Sequence, residues 1–227
     1  MSELDIYLAR HYQDAEQFAS SCGISTTKLS ELIDQQLIPE PSYIVTKHST
    51  LKSYAFGEMN ASGSKPGQYF HPANSTWVAL ALTSNGLKTS NELKTRFLNN
   101  MRYELEQLNK TLFRLPDSFT DDGTPIPDGL ASRTEPLWEH FLKGTFGLCI
   151  ANPVTESEIA RKEILQEKLS TVSENGTKSH FSESQTNAVL SLIEEYAKAS
   201  MPFSPIEYHR SSRKRLVEDL KNRLVKA

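Results

Sequence analysis

The side chains able to do acid/base, nucleophilic or metal chemistry are few and spread along the chain. His11, His48, His71, His140, His180 and His209 show no ligand spacing, and no Cys/His array accompanies them. Cys22 and Cys149 are the only cysteines, far apart and outside any C-x-x-C pattern, so no disulfide framework follows and a reducing compartment is expected. Glu139 and His140 are adjacent, but neighbours on a helix point in different directions and do not offer two groups to one substrate atom. Asp121-Asp122-Gly123 has the composition of a turn rather than a metal site. The chain has no Walker loop, dinucleotide glycine pattern, H-E-x-x-H or G-x-S-x-G. Sequence therefore assigns no catalytic residue, metal ligand or cofactor.

A second kind of chemistry, hydrogen bonding to base edges, suits Thr26, Thr27, Lys28, Ser30 and Glu31, which share one short predicted helix. The element that must position them runs from Asp14, where Phe18, Ala19, Cys22, Ile24, Leu29, Leu32 and Ile33 form two short helical sets around Gly23. Gly23 suits the turn because it adopts a positive φ without a Cβ clash, and Ser25 or Thr26 can cap the second helix. A small residue where helices cross, a glycine in the turn and apolar anchors beneath the second helix are the requirements of a helix-turn-helix.

The run Ser-Cys-Gly-Ile-Ser-Thr-Thr-Lys-Leu at 21–29, followed by Gln-Leu-Ile-Pro-Glu-Pro at 36–41, resembles the start of MerR-type winged-helix domains. Gly67-Gln68-Tyr69-Phe70-His71-Pro72-Ala73-Asn74 resembles the segment where such a wing returns and a third helix begins. The likeness covers roughly residues 12–83 and implies a small β-hairpin wing and contact with double-stranded DNA. It departs from the pattern between Pro41 and Gly67, where the stretch is longer than the usual wing.

The charges temper that implication. Five acids, Asp14, Glu16, Glu31, Asp34 and Glu40, face the single base Lys28 between positions 14 and 40, an arrangement that repels phosphates. The wing adds Lys47, His48, Lys52 and Lys65 against Glu58. The other basic element is the C-terminal stretch from His209, with seven bases against Glu218 and Asp219, and Arg213 and Arg215 are its candidates for phosphate contact. The whole chain, 227 residues with 25 bases and 28 acids, makes no global electrostatic case for nucleic acid.

The remainder reads as helical. One helix starts near Asn74 and is expected to stop at Ser84-Asn85-Gly86; a long amphipathic one follows Thr89, with Leu93, Phe97, Met101, Leu105, Leu108 and Leu112 as its stripe. Residues 115–133 are dense in Pro, Gly and Asp and mark a linker. Trp138, Phe141, Leu142, Phe146 and Leu148 form an apolar cluster hinged by Gly144 and Gly147, best read as core. Two helices complete the chain, the last expected to start at Ser204 with Pro205 and Glu207 as its opening signals. The segment W-x-x-F-L-x-G-T-F-G-L-C followed by N-P-x-T-x-x-x-I-A-x-K-E resembles an uncharacterised bacterial family loosely tied to natural-product biosynthesis, a likeness that transfers no functional residues.

The expected fold is thus mainly α: a winged helix-turn-helix over 1–86, a connecting helix over 87–114, a linker over 115–133 and a helical domain over 134–227. The N-terminus lacks a secretory apolar stretch, and the longest apolar run, Trp77–Leu82, is too short to span a bilayer, so a cytoplasmic protein is expected. Three functions fit this reading. The first is a DNA-binding regulator that dimerises through its long helices or senses a ligand. The second is a protein-interaction module. The third is an enzyme or accessory factor of a biosynthetic pathway, whose sign would be a deep pocket near Tyr69, His71 or the Trp138 cluster.

Overall fold

The computed structural model describes residues 1–83, 89–178 and 180–226. Helix α1 (Glu3–His11) starts at Ser2, whose hydroxyl accepts from the Asp5 amide while Asp5 accepts from the Ser2 amide, and it buries Leu4, Tyr7 and Leu8. A two-residue strand, β1 (Gln13–Asp14), leads into α2 (Ala15–Ser21), capped reciprocally by Asp14 and Gln17. Gly23 turns the chain at φ 68°, and α3 (Thr26–Asp34) begins on the Ser25 hydroxyl, which accepts from the Lys28 amide. Phe18, Ala19, Leu29 and Leu32 close the angle between the two helices.

The long segment after Pro41 is strand rather than loop. β2 (Tyr43–Val45), β3 (Thr50–Ser53) and β4 (Gly57–Asn60) form a meander, and β5 (Gly67–Phe70) returns to pair with β2 on one side and β1 on the other. The sheet is antiparallel throughout, in the order β1-β5-β2-β3-β4. The added length is therefore a second hairpin, β3-β4, at the sheet edge.

A short 3-10 turn at Pro72–Asn74 precedes α4 (Ser75–Leu82). The stop expected at Ser84-Asn85-Gly86 lies outside the described residues. Helix α5 (Ser90–Thr111) carries the reciprocal Thr89–Glu92 cap read from sequence. Its stripe is buried by α6 (Pro127–Leu142) and α8 (Glu156–Val172) of the same chain, so a dimer through this helix finds its apolar face already covered. Helices α7 (Thr145–Cys149) and α9 (Glu183–Ala199) complete the packing, and the chain ends in a wide π turn at Lys214–Asp219 that continues as α10 (Leu220–Lys226).

Two expectations need correction. The stretch 115–133, expected as a loop or linker, is helical from Pro127, where α6 begins, and its Leu115, Ser118 and Phe119 are buried. The final helix does not start at Ser204. The local signal is real, since the Glu207 amide donates to the Ser204 hydroxyl at 3.3 Å, but only a turn and the 3-10 stretch Tyr208–Arg210 follow. The reason is that the Glu207 carboxylate is drawn inward, accepting from Tyr43 Oη at 2.7 Å, Ser53 Oγ at 2.6 Å and Ser204 Oγ at 2.9 Å. Three hydroxyls hydrogen-bonding one fully buried carboxylate tie the sheet to the C-terminal segment more strongly than one more helical turn would.

The largest apolar cluster takes Phe18, Leu29, Ile38, Phe70 and Trp77 from the N-terminal part together with Phe97, Met101, Phe141, Phe146 and Ile164. The core thus runs across the boundaries expected from composition. Among the described residues no helix is long and apolar enough to cross a membrane.

Candidate ligand cavity

Lys162 lies on α8 between Ile159, Ala160, Ile164 and Leu165, all buried, and is itself only 3% exposed. A lysine so placed must find acceptors inside the protein, because an unpaired ammonium away from water is costly. Its Nζ donates to Glu163 Oε1 at 3.0 Å and to Gln166 Oε1 at 2.9 Å. The same Gln166 oxygen accepts from Tyr196 Oη at 3.1 Å, and Tyr196 Oη lies 2.8 Å from Ser212 Oγ. Helix α9 and the start of the last helix thereby hold the far side of this polar cluster.

The opposite wall is α7. Gly144 enters it at φ 67°, with the Cβ of any other residue falling 2.4 Å from the Glu40 carbonyl oxygen. A Cβ on Gly147 would meet Ser42 Oγ at 2.5 Å. The contact is that close because the N-terminal part binds this helix directly. Ser42 Oγ donates to the Gly144 carbonyl at 3.0 Å, Tyr12 Oη to the Gly147 carbonyl at 3.0 Å, and the Glu40 amide to the Leu142 carbonyl at 2.8 Å. Pressed in this way, α7 turns Thr145, Phe146, Leu148 and Cys149 toward Lys162.

The β3-β4 turn forms the roof. Phe56 packs edge-on against Phe203 at 5.6 Å, while the Arg210 guanidinium lies over the Phe56 ring and donates to its carbonyl oxygen at 3.2 Å. Tyr54 donates to Glu139 Oε1 at 2.7 Å and stands edge-on to His140 at 5.7 Å. The adjacent Glu139 and His140 thus both meet Tyr54, with His140 Nδ1 buried.

These walls enclose about 270 Å³. A second hollow of about 300 Å³, between α5, α6 and α8, shares Leu137, Glu163 and Gln166 with it. Two buried polar atoms of the first cavity's lining residues, His140 Nδ1 and Thr145 Oγ1, have no hydrogen-bond partner. Buried polar groups are ordinarily paired, so these two are exceptions within the wall, and neither atom itself opens onto the void.

The protonation states narrow the chemistry. Burial pushes the Cys149 thiol up to about 11, so it is not a thiolate nucleophile at neutral pH. Burial works against the Lys162 ammonium, while the Glu163 carboxylate bonded to it favours the charged form, and Lys162 lies above the ordinary lysine range. A lysine kept charged forms no Schiff base, since that requires the free amine. The arrangement is fitted to bind by charge and hydrogen bonds.

The side chains singled out from sequence lie elsewhere. Thr26, Thr27 and Ser30 are exposed on α3, and Lys28 pairs with Glu31 at 3.1 Å. Lys52 pairs with Glu58 at 2.5 Å and Lys65 with Asp14 at 3.4 Å, while Lys47 is exposed beyond the end of β2. Arg213 turns inward: its Nη1 donates to the carbonyls of Ala197 and Ser200 at 2.6 and 2.8 Å, capping the end of α9. Arg215 is exposed. The Trp138 cluster borders the cavity through Phe146 and Leu148.

Sequence inspection passed over Lys162 and Glu163 because they read as one more charged pair on a helix. The available signal was phase: Lys162 falls three residues from both Ile159 and Leu165, on the side that faces inward.

Fold and site together describe a mainly α protein with a small antiparallel sheet and a half-open, lysine-bearing cavity between them. The chain belongs to a family of unknown function (DUF6058), whose match spans residues 93–225. No curated protein and no solved structure matches it. The matched region supplies every wall of the cavity except Ala55 and Phe56, which the sheet contributes.

Proposed function

We propose that the protein binds a small molecule in the cavity between the β3-β4 turn, α7 and α8. The observation that carries this reading is a buried, charged Lys162 in the wall of a void otherwise lined largely by apolar side chains. Purely structural burial of a lysine needs no accompanying void. Ala55 sits exposed at the rim, so Ala55→Trp obstructs the cavity from outside with little cost to folding. The test is a thermal-shift screen of small acids, amines and neutral compounds on the full chain. Hits that raise the Tm of the wild type and lose their effect in Ala55→Trp support the reading. An empty screen, or hits indifferent to the substitution, overturns it.

A second reading, contact with double-stranded DNA by a winged helix-turn-helix, is favoured by the Gly23-pivoted pair α2-α3 and by β5 joining strands on both sides of that pair. Thr26, Thr27, Lys28 and Ser30 would face the groove, with Lys47, Lys52 and Lys65 of the wing and Arg215 near phosphates. It ranks second because Lys28, Lys52 and Lys65 each lie against a carboxylate, which cancels much of their attraction for the backbone. Retention on duplex DNA that falls steeply with salt, and is abolished by Lys28→Gln with Lys47→Gln, supports it. Retention absent at 50 mM salt, or insensitive to salt, removes it.

A further inference from the structure

A separate hollow of about 270 Å³ lies between α8 and α9 beside the turn that joins them, and it shares no lining residue with the Lys162 cavity. Its floor is apolar: Val189 and Leu192 of α9 are buried, and Val172 of α8 and Phe181 of the joining turn pack beside them half-buried. The space exists because Ala188 and Ser191, on the same stripe of α9, are too short to fill it. Two lysines complete the lining. Lys178 holds its ammonium 5.0 Å from the centroid of the Phe181 ring, and Lys168 Nζ donates to the Leu112 carbonyl at 3.1 Å and keeps two N–H groups. Among the described residues neither has a carboxylate partner, in contrast to Lys162 with Glu163, and the one acid in the lining, Glu195, is bonded to Arg161 at 3.1 Å. The groove therefore sets two uncompensated positive charges against apolar walls.

From this combination we infer that the α8-α9 groove is a second ligand site, taking a medium-chain fatty acid with its carboxylate at Lys178 and Lys168 and its alkyl chain over Val172, Val189 and Leu192. Charge complementarity sets the head group. A neutral alcohol or an ammonium leaves both lysine charges unmet, whereas a carboxylate gives them charge-assisted hydrogen bonds. Size sets the body: the hollow suits one unbranched chain rather than the broad apolar face of a partner helix. Burial of each methylene is worth about a three- to fourfold gain in affinity, so binding is expected to climb with chain length until the groove is filled. This site stands apart from the Lys162 cavity and does not rest on the reading of it.

The test is calorimetry on the full chain, below micelle-forming concentrations, with butyrate, hexanoate, octanoate and decanoate, and with 1-octanol and octylamine as matched neutral and cationic heads. Ala188 is exposed at the groove, so Ala188→Trp fills it from outside with little cost to folding. Lys168→Gln combined with Lys178→Gln removes both charges and leaves an amide N–H for the Leu112 carbonyl. The expected result is that affinity rises along the acid series and that octanoate binds at least ten times more tightly than 1-octanol or octylamine. The double glutamine variant is expected to erase that preference, Ala188→Trp to abolish binding, and Ala55→Trp to leave it unchanged. If the alcohol or the amine equals the acid, or the double variant keeps the preference, the lysines do not select the head group and the inference fails. Binding that survives Ala188→Trp, or is lost in Ala55→Trp instead, places the acid outside the groove and overturns the inference, the second result favouring the Lys162 cavity. If no acid up to decanoate binds, the groove is a solvated surface feature; the inference falls and the cavity reading stands on its own screen.

Discussion

At the scale of single residues, Lys162 and His71 are buried ionisable groups with opposite solutions. Lys162 stays charged among acceptors, and a structure that retained it for stability alone would lose by its removal. Replacing a whole buried ion pair by apolar side chains is often neutral or stabilising, by about 1–4 kcal/mol, and removing one partner is costly where the other charge is left buried and uncompensated. Gln166 keeps its bond from Tyr196, and the half-exposed Glu163 is rehydrated. Lys162→Met is therefore expected to hold or raise the Tm, and a fall of more than 5 °C would assign the lysine to the scaffold. His71 takes the other course. Burial pushes it down to about 4, with His11 acting in the same direction, and its Nδ1 accepts from the Ala73 amide at 3.1 Å. Above the unfolded value near 6.5 both states are neutral; as pH falls from there to 4 the unfolded chain takes a proton that the folded one refuses. Stability is thus lost across that window, by about 3 kcal/mol for a shift of this size. His71→Asn, which retains an acceptor for Ala73, should flatten the acid side of a Tm-against-pH curve; an unchanged slope would place the sensitivity in other groups.

At the scale of elements, two glycines with nearly the same backbone angle make different demands. Gly23 at φ 68° has open space where a Cβ would project, whereas at Gly144, φ 67°, the same atom would overlap the Glu40 carbonyl. Gly23→Ala should cost only the left-handed strain, about 1 kcal/mol. Gly144→Ala adds a backbone collision that must displace α7, and a loss of about 3 kcal/mol or more is expected. Equal losses in urea titrations would mean that α7 and the segment at Glu40 part easily. Because α7 forms one wall of the cavity, Gly144→Ala should also weaken ligand binding, while Gly23→Ala leaves it unchanged.

At the scale of the whole molecule, the family match and the fold have different limits. The match begins at Leu93, within α5, but the cluster around Phe97 and Phe141 is completed by Phe18, Phe70 and Trp77 from the part before it. Trp77 meets Phe141 with ring centroids 4.8 Å apart, and its indole N–H donates to the Pro153 carbonyl at 3.1 Å. A fragment of residues 89–227 is therefore expected to lose its cooperative thermal transition and to bind a hydrophobic dye. A sharp transition in that fragment would show that the helices form a unit of their own.

Much of the local structure was legible along the chain. The glycine-pivoted helix pair, the Thr89–Glu92 cap and the stripe of α5 each depend on residues within a few positions of one another, where periodicity and capping chemistry act directly. The sequence-level signal at Ser204 was equally clear and still did not start a helix, because Tyr43 and Ser53, more than 150 residues away, bind the Glu207 carboxylate. The cavity is of the same kind. Its walls come from the β3-β4 turn, the end of α6, α7, α8 and the last segment, and no spacing along the chain encodes their meeting. Local sequence determined the glycine-pivoted helix pair, the Thr89–Glu92 cap and the stripe of α5, since those are settled by short-range sterics and hydrogen bonds. Only tertiary packing decided that Lys162 would face a void rather than water, since the burial of a side chain depends on what the remainder of the chain lays over it.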